Sequence, residues 1–372
     1  MKLIINSSMG TEASVKRELF RLGIADAKAI DGKIAVEGDY EMLAKLCVWL
    51  RCADRVMIEL GSFSALTFDE LFDGVSKIDF SVYLKKFTRV MMNGNCVNSK
   101  LMAIKSCGGV IKKSIMNNLE RTYGTSSEVG ETVTIYFTIV NDVCTIYLDA
   151  CGNGLHKRGY RPITVTAPLK ETLACSMIDL SVYSAKKPLA DLFCGSGTIA
   201  IEAAMIAKNI APGLNRTFDF VKFNNYPDGL LEKVKQEAMA QELDVVPDIY
   251  ACDIDSKSVE IAKLSAEKAG VLKYINFEVK DMRDFSSNKE YGIIISNPPY
   301  GERLGDKASA QKLARSFAKM FGKLKNWSCY ILTDDKDFEQ AMGRKSDKKR
   351  KLFNGKIECN YYSFMGRKPE KH

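Results

Sequence analysis

Histidine is nearly absent from this chain: His156 and His372 are the only two in 372 residues. No pair among the 11 cysteines is spaced C-x-x-C, so no zinc constellation can be assembled at ordinary ligand spacing. The scattered, odd-numbered cysteines read instead as small buried apolar residues of a reducing compartment. Also missing is any run of about 18 apolar residues, which argues against a membrane-spanning helix. The opening MKLIINSSMGTEASVKRE turns polar too soon for a signal peptide. A cytoplasmic protein with neither a metal nor a membrane as partner is therefore expected. G-x-x-x-x-G-K-[ST] does not occur, which excludes a P-loop.

Positive charge is present in modest excess, +8 overall, and part of it is concentrated in HKRGYR (156–161) and RKSDKKRK (344–351). The first cluster carries an aromatic ring, which makes Lys157, Arg158, Tyr160 and Arg161 candidates for contact with a polyanion. The second reads equally well as a solvated face.

The hydrophobic pattern divides the chain into three. Over residues 1–62 it predicts strand, helix, strand, helix, with Gly23 ending the first helix and YEMLAKLCVWLRCA forming the second. Over 63–158 it predicts a helix opened by a Thr67-to-Glu70 capping box, a strand at FTRVMMNG and a long helix at GGVIKKSIMNNLERTYG. A hairpin follows, turning at Asn141-Asp142 between TVTIYFTIV and VCTIYLDA. Over 159–372 buried apolar strands alternate with amphipathic helices, the signature of an α/β doubly wound, mostly parallel sheet. KLFNGKIECNYYSFMG should close that sheet as an antiparallel hairpin. The gap from Asp191 to Asp253 exceeds what one βαβ unit needs, so residues 209–247 form an insertion, either a lid or a peripheral helical extension.

DLFCGSGTIAIEAA (191–204) is a strand, a glycine turn and a helix start, where Gly195 and Gly197 let backbone approach a ligand. A dinucleotide fits poorly, because Asp191 would repel a pyrophosphate and Ile199-Ala200 replaces the third glycine. An acid beside a glycine turn suits a cationic ligand with an amine, and S-adenosylmethionine carries both an amine and a sulfonium. Asp253 ends the next strand, where a carboxylate can take ribose hydroxyls. Asp281 ends the one after, where it can accept from an adenine amine. Ligands of open α/β sheets bind outside the carboxyl ends of strands, so the three acids converge on one crevice.

SNPPYGERL (296–304) follows the apolar run Ile293-Ile294-Ile295. Prolines end strands and stiffen the corner. A conjugated exocyclic amine is a poor nucleophile, because its lone pair is delocalised into the ring. Acceptors aimed at its protons, the Asn297 side-chain oxygen and the Pro298 carbonyl, draw the nitrogen toward tetrahedral geometry. Pro298 and Pro299 hold the acceptors rigid, and Tyr300 can stack on the ring. In-line positioning then supplies much of the rate.

Together DLFCGSGTIAIEAA, ACDID and SNPPYGERL resemble the class I, Rossmann-like RNA methyltransferases that carry an N-terminal THUMP domain. More closely, with GLHKRGYR and APLKETLA, they are similar to the branch of large-subunit ribosomal RNA guanine-N2 methyltransferases. The resemblance covers about residues 60 to 370. It implies a ferredoxin-like α+β unit (1–62), a THUMP RNA-binding unit (63–158) and a catalytic domain (159–372). It implies that Asp191, Phe193, Gly195, Ser196, Gly197 and Thr198 line the methionine end of S-adenosylmethionine. Asp253 and Ile254 would hold the ribose, and Asp281 and Met282 the adenine. Thr166, Pro168 and Glu171 would form a wall, and Asn297 to Tyr300 would meet both cofactor and target base. The partner would be structured RNA, 23S rRNA by preference. The chain departs from the longer members of that branch, which carry a second methyltransferase domain, and resembles shorter relatives that act on tRNA, so tRNA is the alternative substrate. Methylation of DNA adenine N6 or of a glutamine amide uses a similar corner. The two small N-terminal units, and the lack of a helix-turn-helix, favour RNA. A non-catalytic RNA-binding factor fits the intact acids least.

Overall fold

The computed structural model describes residues 1–30, 32–125, 127–161, 168–299 and 307–367. The N-terminal half is one seven-stranded sheet. Its strands are β1 (Lys2–Ser7), β2 (Lys28–Ile30), β3 (Lys33–Glu37), β4 (Ala53–Ser64), β5 (Arg89–Val97), β6 (Thr132–Val140) and β7 (Val143–Asp149), in the order β2-β3-β1-β4-β7-β6-β5. Helices α1 (Glu12–Arg21), α2 (Tyr40–Trp49), α3 (Phe68–Ser76) and α4 (Ile104–Tyr123) bury their apolar stripes against it in one core. Strand β6 shows why one face is covered: Val133, Ile135, Phe137 and Ile139 are buried in alternation with half-buried Thr134, Tyr136 and Thr138.

Local signals hold where the chemistry is local. Thr67 and Glu70 form the reciprocal capping box that opens α3. Asn141 and Asp142 both take positive φ, 49° and 64°, giving the tight turn between β6 and β7. Strand β4 was not expected. It is twelve residues long and pairs with β1 along its first half and with β7 along its second. The expected boundary at residues 62/63 thus falls inside a strand shared by both units.

The C-terminal half carries a second seven-stranded sheet. It comprises β8 (Leu189–Asp191), β9 (Ile249–Asp253), β10 (Ile275–Val279), β11 (Ile293–Ser296), β12 (Ser328–Thr333), β13 (Lys348–Asn354) and β14 (Ile357–Phe364), in the order β10-β9-β8-β11-β12-β14-β13. Strands β8 to β12 are parallel, and the β13–β14 hairpin closes the edge antiparallel, as its sequence predicts. Helices α5 (Glu171–Asp179), α6 (Thr198–Ala207), α7 (Leu230–Met239), α8 (Ser256–Lys268), α9 (Lys307–Phe321) and α10 (Phe338–Ala341) complete the half. Separate apolar cores fill the two faces. Strand order reverses between β8 and β11, and a crevice opens at that switch point. No helix among the described residues is long and apolar enough to cross a membrane.

The insertion is no lid. Phe218, Phe220 and Phe223 are buried in the core of the N-terminal half, and α7 packs on α2. Backbone bonds tie it down: Gly213 N–H donates to Val48 O at 2.9 Å and Phe220 N–H to Ala150 O at 3.1 Å. A Cβ at Gly213 would lie 2.6 Å from Val48 Cα, so only glycine permits this approach. The insertion fastens the two halves together.

Candidate active site

Strand β8 delivers Asp191 to the sheet's carboxyl edge, and the chain turns through Gly195 (φ 49°) and Gly197 (φ 79°) into α6. The two glycines serve different ends. A Cβ on Gly197 would meet Ala262 Cβ at 2.9 Å and the Phe277 ring at 3.3 Å, so Gly197 is needed for packing. A Cβ on Gly195 would meet nothing within 4 Å, so Gly195 faces open space that a ligand can fill.

Asp191 is buried, and its Oδ1 accepts from the Ser296 hydroxyl at 2.8 Å and from Phe193 N–H at 3.3 Å. Ser296 Oγ in turn accepts from Leu192 N–H at 2.9 Å, so one serine ties the tips of β8 and β11 together across the switch point. Sequence reasoning missed Ser296, whose one signal is its place directly before Asn297. Burial pushes the Asp191 carboxyl up to about 7, although the Ser296 and Phe193 donors pull it back. At the end of β9, Asp253 Oδ2 accepts from Gly195 N–H at 2.9 Å and Oδ1 from Asp255 N–H at 3.1 Å. Each oxygen keeps a further lone pair for a ligand.

A cavity of about 260 Å³ lies over this turn, walled by Pro168, Asp191, Phe193, Gly195, Thr198 and Asn297, with Ser196 also on its lining. Asn297 Oδ1 is buried and has no hydrogen-bond partner among the described residues. A buried amide oxygen without a donor costs about 1–3 kcal/mol, and a ligand donor would recover it. Beyond Phe193, Pro298 and Pro299 line a narrow apolar cleft with Leu313, Phe317 and Phe338. Thr166 and Tyr300 lie outside the described residues.

Other expected residues are placed differently. Asp281 caps the short turn Met282–Asp284, and its carboxylate takes Arg283 Nε at 2.9 Å and Nη2 at 2.5 Å. That guanidinium holds the carboxyl below its usual range. Neither Asp281 nor Met282 lines the cavity; the Met282 side chain is packed in the core, and Ile254 is 72% exposed. Glu171 is buried beside Arg161, with 3.4 Å between Oε1 and Nε, and burial raises its carboxyl to about 7.

The basic cluster needs correction. Lys157 is exposed, but Arg158 and Tyr160 are buried, at 3% and 4% exposure. Arg158 Nη1 donates to Leu155 O at 2.7 Å and Nη2 to Arg51 O at 2.5 Å, and Nε stands 3.5 Å from Glu202 Oε1. Tyr160 OH donates to the same Glu202 oxygen at 3.0 Å. Arg161 Nη2 donates to Leu169 O and to Thr198 Oγ1, both at 2.7 Å. Buried and internally bonded, Arg158 and Tyr160 present no charge to a polyanion. With Arg161 they pin the segment entering the catalytic half onto α6.

Comparison with known proteins is consistent with this geometry. Residues 158–363 match the family described as RMKL-like, methyltransferase domain, and residues 2–57 match the RlmL ferredoxin-like domain. YpsC of Bacillus subtilis (strain 168), provisionally named an RNA methyltransferase, is 40% identical over 370 residues, 98% of this chain and 96% of that one. The ribosomal RNA large subunit methyltransferase K/L of Pseudoalteromonas atlantica is 32% identical over 375 residues, and the chain spans about half (53%) of that enzyme's length. The crystal structure of SMU.472, provisionally named a methyltransferase and complexed with SAH, has a TM-score of 0.94 at 39% identity over 99% of both chains.

Proposed function

The chain belongs to the RMKL-like methyltransferase family, and from that premise we propose that it methylates an exocyclic base amine in RNA, N2 of guanosine in 23S rRNA by preference. The cofactor is S-adenosylmethionine, which when bound supplies an activated methyl group on a sulfonium. One observation carries the reading: the Asn297 oxygen, unpartnered among the described residues, and the open Gly195 turn share a single cavity. The large-subunit K/L relatives support the ribosomal substrate.

In this reading Asp253 holds the ribose hydroxyls and Asp191 faces the amine end of the cofactor. Asn297 Oδ1 and the Pro298 carbonyl accept from the target amine and turn its lone pair toward the donor. Ser296, bonded to Asp191 and Leu192, fixes the corner that carries Asn297. Tyr300 stacks on the base. The nitrogen sheds its proton after the bond has formed, so no side chain need act as a strong base. The N-terminal half grips structured RNA, and the catalytic half acts on the base it presents.

The test is transfer of label from S-adenosylmethionine into separated 23S rRNA, 16S rRNA and tRNA from cells lacking the protein, with the product nucleoside identified by mass spectrometry. Labelled N2-methylguanosine in 23S rRNA supports the reading. Label in tRNA moves the substrate, and label confined to DNA or to protein amides refutes an RNA enzyme.

Two expectations concern the cofactor. Asp253→Ala removes the carboxylate that both receives the ligand and ties down Gly195. Affinity for S-adenosylhomocysteine should fall by about 1.5–3 kcal/mol, the scale of hydrogen bonds to a charged group, or roughly ten- to a hundredfold. Unchanged affinity in calorimetry removes Asp253 from the site. The second concerns pH. The Asp191 carboxyl titrates at about 7 in the free protein, and a cation seated beside it favours the ionised form. Binding therefore expels a proton below about pH 7, so affinity should rise with pH until Asp191 is ionised and then level off, at most about tenfold per unit. In the free protein the same raised carboxyl makes stability fall as pH climbs from the ordinary carboxylate range to about 7. A binding profile that Asp191→Asn does not flatten refutes the assignment.

A further inference from the structure

All four N-terminal helices pack on one face of the first sheet, and among the described residues no helix layer covers the other face. At its centre Tyr136 of β6 stands directly opposite Tyr147 of β7. Tyr147 forms a floor with Ile4, Ala35 and Met57, against which Tyr136 packs half-buried. Each ring has a cation beside it. Lys33 Nζ lies 4.4 Å from the Tyr147 centroid and donates to its hydroxyl at 3.0 Å. The Arg55 guanidinium lies 5.3 Å from the Tyr136 centroid, steadied by Asp149 and by Gly152 O at 2.9 Å. A concavity of about 440 Å³ opens here, with Asn6, Asn93, Asn95 and Thr138 on its walls. Asn6 Oδ1 is buried with no hydrogen-bond partner among the described residues.

These features select an occupant. An amphipathic helix needs an apolar groove, whereas this wall is amide, hydroxyl and cation around two rings. Strand addition needs a sheet edge, and this is a face. An unpaired nucleobase offers a flat π surface for Tyr136, amino protons for Asn6 Oδ1 and a phosphate for Lys33 or Arg55. We infer that this face binds an unpaired stretch of the RNA substrate, with a base stacked on Tyr136 and its edge read by Asn6. The inference rests on RNA being the substrate of the catalytic half. Arg55 connects the two places: the chain it holds at Gly152 runs directly into the Arg158–Arg161 segment bonded to α6.

The experiment uses the full chain and a fluorescent single-stranded RNA 12-mer, with a duplex of the same length as comparison. Tyr136→Ser should weaken single-strand binding roughly tenfold, within the range of one base–aromatic stack. Tyr136→Phe, which keeps the ring, should retain binding. Calorimetric affinity for S-adenosylhomocysteine reports that the fold and the catalytic half are intact in both. Photo-crosslinking of 4-thiouridine RNA should recover the β6 peptide. Equal single-strand binding by Tyr136→Ser and wild type, or no single-strand binding by wild type, overturns the inference. Label transfer into RNA is measured separately, so a wild type that methylates RNA while Tyr136→Ser keeps the same KM refutes the docking face alone.

Discussion

Asn297→Ala is expected to leave affinity for S-adenosylhomocysteine within about threefold, the lower end of a net neutral hydrogen bond, and to cut methyl transfer roughly a thousandfold. The asymmetry follows from what the side chain touches. Its oxygen is buried at the cavity wall and has no donor among the described residues, whereas in the proposed reading the cofactor's polar groups are met by Asp191, Asp253 and the open Gly195 turn. Removing a preorganised partner of a reacting centre costs about 10²–10³ in rate, and loss of near-attack geometry adds to that. The Pro298-Pro299 corner cannot compensate, because the prolines fix a carbonyl but offer no second side-chain acceptor. Asn297→Asp is a sharper probe: it keeps an oxygen at the position but places a second carboxylate near buried Asp191, so it should rescue little at neutral pH. Single-turnover transfer with bound cofactor separates the two quantities. Turnover by Asn297→Ala within about tenfold of wild type would sink the amine-positioning mechanism.

The parts of this site legible in the sequence are those whose address is local. Asp191 and Asp253 each follow an apolar run, so the strand carries them to its tip and the parallel sheet collects the tips at one edge, whereas Asp281, after the next strand, turns to Arg283 outside the cavity. The Asn141-Asp142 turn is equally local, since both residues tolerate positive φ. What was not legible is set by partners distant in sequence. Arg158 reads as a cation available to a polyanion until Glu202, forty-four positions on, is brought beside it. The aromatic residues Phe218, Phe220 and Phe223 announce burial but not where, because α2 and the strands that receive them come far earlier in the chain. Strand β4 escaped because its register shifts between Glu59 and Gly61, which breaks the alternation that marks a strand. Ser296 had only adjacency to recommend it, and its role depends on Asp191 and Leu192 a hundred residues before it.

Arg158→Met should destabilise the folded chain by about 3–5 kcal/mol, the cost of removing one member of a buried ion pair. Glu202 is fully buried, and without Arg158 its donors among the described residues are the Tyr160 hydroxyl at 3.0 Å and the Cys175 thiol at 2.9 Å, with the Arg51 guanidinium acting on it electrostatically but forming no ion pair. Two neutral donors do not offset a carboxylate in that setting. The carbonyls of Leu155 and Arg51 also lose their donor, and Arg51 belongs to the N-terminal half while Glu202 lies on α6 of the catalytic half. The pair therefore joins the N-terminal half to the helix whose first residue, Thr198, lines the cavity over the glycine turn. Urea denaturation followed by circular dichroism measures the loss. Replacing both partners, Arg158→Met with Glu202→Met, should recover more than half of it, because the buried carboxylate is then removed together with its partner. A loss below about 1 kcal/mol for Arg158→Met, within the range of an exposed pair, would mean that the Glu202 pair holds the two halves no more strongly than a surface pair. A double variant no better than the single would place the cost in the two carbonyls and not in the carboxylate.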